Sequence, residues 1–380
     1  MIGIIVLVVV GLALLFPVVM TRLAKRKLAQ LERAKATIAR HEAWLAEERR
    51  AANTITPADH GLLLGKDLVL DGEPEPDEAA ALTAAKSGDW RPAAAYLAVD
   101  AVPDVRWRRQ RALAELAAED DTWLRAWRAE RPDDPTAALV HLDALVFLAW
   151  KIRTGAAASQ VSREQAEGFH RVLREAEEFA AEAVALAPDD DPNPWVAQIS
   201  IAMGLGWSND RFRQLWAEVT KRDPHHWAAH NRALQYWCDK WRGSHELMHR
   251  FIDRAIAAAP AGSLLAPMKL EAYYERFVRD GEALIAWERP EVGAALDKAL
   301  ADLAAADPDH PRIRYARGWL AFALTRADRF TEALAQYQAL GEYIPQPFTS
   351  RQDPRQFFID LRIQAVKGAV AAKESAQQQA

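Results

Sequence analysis

From Asp77 onward, apolar residues recur at intervals of three and four, and short breaks rich in Pro, Gly, Asp and Ser separate the runs. An apolar stripe with that period lets a helix bury one face. The pattern predicts helices over 77–87, 91–99, 104–119, 121–130, 136–153, 163–187, 194–206, 209–221, 226–240, 245–258, 264–280, 291–306, 311–327, 329–342 and 354–374. The breaks carry helix stop signals, among them Ser87-Gly88-Asp89, Ala187-Pro188-Asp189, Asp223-Pro224 and Ala259-Pro260-Ala261-Gly262.

Ile2 to Met20 follows a different pattern, 19 residues without a charge. At 1.5 Å per residue such a run crosses a bilayer core of roughly 30 Å. It is followed by Thr21-Arg22-Leu23-Ala24-Lys25-Arg26-Lys27 rather than by a small-residue cleavage site. An uncleaved anchor over 1–21 is therefore expected, with the basic flank and the body on the cytoplasmic side. Residues 22–50 read as a basic juxtamembrane helix; Leu28, Leu31, Ile38 and Leu45 fit a coiled-coil seam that Lys35 and Glu42 interrupt. Thr56-Pro57, Gly61, Gly65 and Asp71-Gly72-Glu73-Pro74-Glu75-Pro76 mark 51–76 as a linker. The helical domain then spans 77–375, and 376–380 is expected to be a disordered tail. Ala137 to Trp150 is apolar but holds His141 and Asp143, which predicts a buried helix and not a second span.

The prolines that close helices are nearly periodic. Pro188 to Pro224 is 36 residues, Pro224 to Pro260 is 36, Pro308 to Pro345 is 37, and Pro260 to Pro308 is 48. Periods of this size mean helical-hairpin repeats, which stack because one hairpin cannot bury its apolar face alone. In the last unit Ala333, Tyr337 and Pro345 stand where the tetratricopeptide repeat has a small residue, an aromatic and the closing proline, with Leu340 at the second small position. Ala176 and Ala183 match in the unit closed by Pro188, where Ala180 replaces the aromatic; Trp216 takes the aromatic position before Pro224, with Phe212 at the small one. Over roughly 163–345 the chain resembles a degenerate tetratricopeptide-repeat protein, which implies an α-solenoid with a ligand-holding inner face. Leu234 to Met248 is similar to a segment of a bacterial family of unknown function with a Lys-Trp-x-Gly-Ser-x-Glu-x-Met core, and this likeness implies no activity. Within that segment Gly243 is expected to turn left-handed and Ser244 to cap the next helix, whose buried stripe would be Met248, Phe251, Ile252 and Ala255.

Charge sharpens the picture. The net charge is −5, but residues 1–40 carry +6, which leaves −11 on the remaining 340. An acidic body is unsuited to nucleic acid, whereas Arg22 to Arg40 suits anionic lipid headgroups. The single Cys238 cannot form an internal disulfide and is expected to be a buried structural thiol.

Candidate chemistry gathers between Asn193 and Pro260. His245-Glu246-Leu247-Met248-His249 matches H-E-x-x-H, which on a helix could hold Zn²⁺ with Glu246 as general base. The sequence does not supply the third ligand: Ile252 and Ala255 occupy the positions where one family of such enzymes has Gly and His, and Glu271 falls late for the other. His225, His226 and His230 read as histidines of a loop and a first helical turn. The protein has 14 tryptophans, six of them (Trp195, Trp207, Trp216, Trp227, Trp237 and Trp241) within 47 residues. Most should be core; Trp195, Trp227, Trp237, Trp241 and the adjacent Tyr236 are the candidates to line a partner-binding groove. The sequence thus predicts an all-α fold of stacked α-hairpins, a tetratricopeptide-like α-solenoid behind an N-terminal transmembrane helix. Such a chain would act as a protein-binding adaptor without cofactor or catalysis. The alternatives are a sensor of a small molecule or lipid headgroup in a Trp-rich pocket, and a zinc hydrolase using His245, Glu246 and His249.

Overall fold

The computed structural model describes residues 35, 57–63, 65–71, 76–155, 160–282 and 286–379. The expected anchor and, but for helical Lys35, the basic segment 22–50 lie outside the described residues. Met1–Leu62 and Leu63–Ala380 are two compact units. In the first, the described residues form one 3-10 turn, Pro57–His60, followed by Gly61 at φ +69°.

The second unit is all-helical. Its elements are β1 (Val69–Leu70), α1 (Pro76–Lys86), α2 (Arg91–Ala98), α3 (Pro103–Ala117), α4 (Thr122–Glu130), α5 (Pro135–Arg153), α6 (Arg163–Leu186), α7 (Asn193–Leu205) and α8 (Asn209–Arg222). They continue with α9 (Trp227–Tyr236), α10 (His245–Ala258), α11 (Met268–Asp280), α12 (Pro290–Ala305), α13 (Ile313–Arg326), α14 (Phe330–Leu340), β2 (Tyr343–Ile344) and α15 (Pro354–Gln379). Local chemistry sets the helix ends. Asp134 accepts from the Thr136 and Ala137 N–H groups ahead of α5, Ser162 and Gln165 form a capping box on α6, and Ser208 and Ser244 cap α8 and α10.

Most successive helices pack on one another along the chain, with α5 and α6 making the most extensive interface, while α8 and α9 meet through aromatic contacts (Phe212 with Tyr236, Trp216 with His230). From α3, most odd-numbered helices also pack on the next odd-numbered one: α3 on α5, α5 on α7, α7 on α9, α11 on α13, and α13 on α15. The missing link, α9 to α11, is made by side-chain hydrogen bonds. The odd helices thus form one layer and the even helices the other. The odd layer also meets itself, because the start of α3 touches the start of α9 and Arg312. Aromatics fill the gaps: Trp90 stacks on Trp127 at 5.4 Å near one end, and Phe358 meets Tyr337 and Phe348 edge-on at the other.

Among the described residues only α5 is long and apolar enough to cross a membrane. More than half of its apolar window is buried within the protein, as the core-helix expectation requires.

Four segments differ from expectation. Residues 65–71, assigned to the linker, are pinned to the far end of the chain. β1 runs parallel to β2, Val69 N–H donates to Glu342 O (2.8 Å) and Asp71 N–H to Ile344 O (2.9 Å). Arg355 donates to the Gly65 carbonyl (2.8 Å), Arg314 pairs with Asp71 (3.0 Å), and Leu68 is buried. α9 ends at Tyr236, four residues early. Gly243 does not turn left-handed; its role is close approach, since a Cβ there would lie 1.8 Å from the Trp237 carbonyl oxygen. α11 begins at Met268, because the preceding loop is organised by buried Asp302, which accepts from Gly262 N–H (2.8 Å) and Ala266 N–H (3.2 Å). Finally, α15 continues to Gln379, through most of the expected tail, where Ala and Gln offer no helix breaker.

Candidate functional site

The self-contact of the odd layer is built around Asp104, in the first turn of α3. Arg312 grips it with one edge of its guanidinium (Nε to Oδ2 2.8 Å, Nη2 to Oδ1 3.0 Å), and Ala228 N–H at the start of α9 donates to Oδ1 (3.0 Å). The carboxylate therefore caps a helix other than its own, where the positive end of the α9 dipole favours it. Burial pushes the Asp104 pKa up, but Arg312, nearby His226 and the Ala228 N–H outweigh burial and hold it below the usual value. His226 is buried beside them. Its Nδ1 accepts from Ala229 N–H (3.2 Å), so the proton sits on Nε2, which donates to Asn193 Oδ1 (3.1 Å). Asn193 in turn donates to the Pro103 carbonyl (3.3 Å). Burial, against the pull of Asp104, lowers the His226 pKa, so this ring is a neutral structural cap.

Next to this junction, the layer forms an open cavity of about 380 Å³. Trp107, Arg111, Trp227, Asn231, Arg232 and Arg312 line it, with Arg108 and the exposed Glu115 at its edge. The Arg232 guanidinium lies 4.9 Å and that of Arg111 5.9 Å from the Trp107 ring centre, and Arg312 lies 4.5 Å from that of Trp227. Arg232 donates to the Ser200 hydroxyl. Behind Arg111 stands Asp143, fully buried on α5, with Oδ1 at 3.8 Å from Nη1. Neither Asp143 oxygen has a hydrogen-bond partner among the described residues, and burial pushes its pKa up to about 6 against the pull of Arg111.

Asn231 links the cavity to a second polar cluster. Glu271 on α11 accepts from Tyr315 OH, from Asn231 Nδ2 (2.9 Å) and from Gln235 Nε2 (2.9 Å). Burial raises the Glu271 pKa despite these bonds. Glu275, one turn on, accepts from Lys240 (2.8 Å) and lies 4.0 Å from Cys238 Sγ. Cys238 is buried, and burial raises its thiol pKa, as a structural cysteine requires.

A larger groove of about 630 Å³ runs between α8 and α10. Its floor is Trp216, Trp237, Leu247 and Phe251, with His230 beneath; Trp216 meets His230 and Phe251 edge-on at 4.9 and 5.1 Å. Arg213, Arg250 and Arg254 stand at its edges. Burial lowers the His230 pKa to about 4, so the groove floor is uncharged at neutral pH.

The residues singled out from the sequence therefore divide. Trp227 lines the cavity and donates through Nε1 to Leu264 O (3.0 Å), while Trp237 lines the groove. Tyr236 is core: it stacks on Phe212 at 3.7 Å, and its hydroxyl donates to Trp207 O (2.9 Å). Trp195 is buried under the Arg222 guanidinium (3.5 Å), and Trp241 packs edge-on against Trp150 (5.4 Å). Phe251, expected in a buried stripe, is only half-buried and forms part of the groove.

His245 and His249 occupy α10 as expected. Exposed Glu246 lies 3.2 Å from Arg250, and His245 Nε2 lies 3.8 Å from Asp280. His249 packs on the Tyr273 ring at 4.8 Å, and burial followed by Lys269 lowers its pKa to about 4. His245 Nδ1 and His249 Nε2 are buried without a hydrogen-bond partner among the described residues. No three His, Cys, Asp or Glu residues among those described are grouped to hold a metal ion. The arginines of the cavity were missed by sequence reading. They lie on α3, on α9 and before α13, and no local spacing connects these three segments.

No protein-family model, no curated protein and no solved structure matches this chain.

Proposed function

We propose that this chain is a membrane-tethered, tetratricopeptide-like α-solenoid that binds a partner protein on the cytoplasmic face and carries out no catalysis. The anchor would be residues 2–20, with Arg22 to Arg40 against anionic headgroups. The observation that carries the reading is the α8–α10 groove. Its 630 Å³ suits bulky side chains, and its floor is aromatic and aliphatic. The partner segment we assign is a short amphipathic helix with bulky apolar residues on one face and acidic residues flanking them. Charge supports this choice: three arginines border the groove of an otherwise acidic body. Arg213 and Arg250 are exposed and paired within their own helices, to Asp210 (2.5 Å) and Glu246 (3.2 Å), contacts weak enough to exchange for a partner's carboxylates. Helix-in-groove docking draws its affinity from such a floor and its orientation from such a border.

The test places a photoreactive residue at Leu247 of the full-length protein in membranes. The expected result is one stoichiometric crosslink to a single acidic amphipathic segment, weakened by added salt and abolished by Phe251→Ala or by Arg254→Glu. Crosslinks that are unsaturable, or that persist in both variants, would overturn the reading. Bound zinc lost in His249→Ala, together with hydrolysis lost in Glu246→Gln, would favour the hydrolase instead.

A further inference from the structure

We propose that the 380 Å³ cavity between α3 and α9 is a binding site for a phosphate group, carried by a small molecule or a lipid headgroup. It is distinct from the α8–α10 groove, and the inference does not depend on the partner-binding reading.

Four arginines face one small cavity: Arg108, Arg111, Arg232 and Arg312. Their partners differ. Arg312 spends two nitrogens on Asp104, which orients it and leaves Nη1 outside that grip. Arg232 donates to the uncharged Ser200 hydroxyl. Arg111 faces Asp143 at 3.8 Å, beyond hydrogen-bond reach. Glu115 also lines the cavity and is exposed. The guanidiniums of Arg232 and Arg111 both lie over Trp107, which is 2% exposed, so the ring fixes their stems without itself offering a surface to a ligand. Arg111 also stacks on the Phe147 ring at 4.2 Å, so the two cations have one hydroxyl as hydrogen-bond acceptor and one carboxylate beyond bonding distance.

A guanidinium is a planar fork matched to phosphate oxygens, and a phosphate monoester presents three of them with nearly two charges at neutral pH. It can bridge Arg232 and Arg111 and still accept from Arg312. A single carboxylate offers two oxygens and one charge, so it would leave one fork unanswered. The volume is near the lower end for ligand pockets, which limits the ligand to a phosphate on a small body or a headgroup at the mouth.

The experiment is calorimetric titration of inorganic phosphate into the purified full-length protein at constant ionic strength, with acetate as the carboxylate comparison. One saturable site is expected, with phosphate preferred to acetate by tenfold or more. Arg232→Ala should weaken it by about tenfold or more, whereas Asp143→Asn, which removes the negative charge behind Arg111, should tighten it. The Asp143→Asn arm guards against a folding defect, because a damaged protein would not gain affinity. Vesicles of phosphatidylcholine with or without phosphatidate then separate the sources: competition by phosphatidate assigns a headgroup, and its absence a soluble phosphate. No saturable phosphate binding, no preference over acetate, or equal affinity in wild type, Arg232→Ala and Asp143→Asn would overturn the proposal.

Discussion

Asp104 and Asp143 are both carboxylates taken out of water beside the same cavity, and the fold treats them oppositely. Asp104 receives two bonds from Arg312 and one from Ala228 N–H. Asp143 has an arginine nitrogen at 3.8 Å and no hydrogen bond among the described residues. The first is held below the ordinary carboxylate pKa and the second is pushed up to about 6. Burial alone therefore does not decide what a charge contributes; the number and geometry of its donors do. Asp104 ties three elements together, while Asp143 is a stability liability retained next to a candidate ligand site.

The sharpest way to break this comparison is to remove Asp104. Asp104→Ala leaves Arg312 partly buried without its carboxylate and removes the acceptor of the Ala228 N–H, so urea unfolding should show a loss of about 3–5 kcal/mol. A loss under about 1 kcal/mol would put the pair among ordinary surface contacts. Next, Asp143→Leu should stabilise the protein at pH 7 by about 1–3 kcal/mol, since it removes a desolvated charge while Arg111 keeps its access to water. A decrease in melting temperature would show that the Arg111 interaction outweighs desolvation.

The same variant has a pH signature. A raised native pKa means that the native state binds more protons than the unfolded chain between about 4 and 6, so the Asp143 penalty is present above pH 6 and absent below 4. The advantage of Asp143→Leu should therefore shrink steadily between pH 7 and 4 in paired melting curves. His230 acts in the other direction: its native pKa near 4 means stability is lost as pH falls from 6.5 towards 4, in wild type and variant alike. An advantage independent of pH would assign it to packing rather than charge. The smallest effect is expected for His226→Asn, which keeps a side chain able to cap α9 but leaves the Asn193 oxygen without its donor. About 1–2 kcal/mol should be lost in urea unfolding.

The helices were legible because their signals are local. α10 begins and ends as its sequence predicts, since Ser244 caps it and Ala259-Pro260 stops it. α9 was read too long because Trp237 to Lys240 keep a helical composition; the turn is enforced by Gly243 pressing against the Trp237 carbonyl, which no period reveals. Tyr236 shows the same limit from another side, because an aromatic beside Trp237 looks available until Phe212 is found stacked on it. Of the cavity, only Trp227 was legible. Arg312 and Asp104 are 208 residues apart, and their meeting depends on the curl of the whole odd layer.

The pairing of β1 with β2 has a consequence for how such a protein can change over evolutionary time. An open array of hairpins can be lengthened or shortened at either end by duplication or deletion, at the expense of one interface. Here the residues that lead into the array are hydrogen-bonded to its last turns, through Val69, Asp71 and Arg355. Adding or deleting one helix pair would displace the two ends from one another and open the clasp. The clasp therefore works against changes in length, and variation is channelled into side chains and loops.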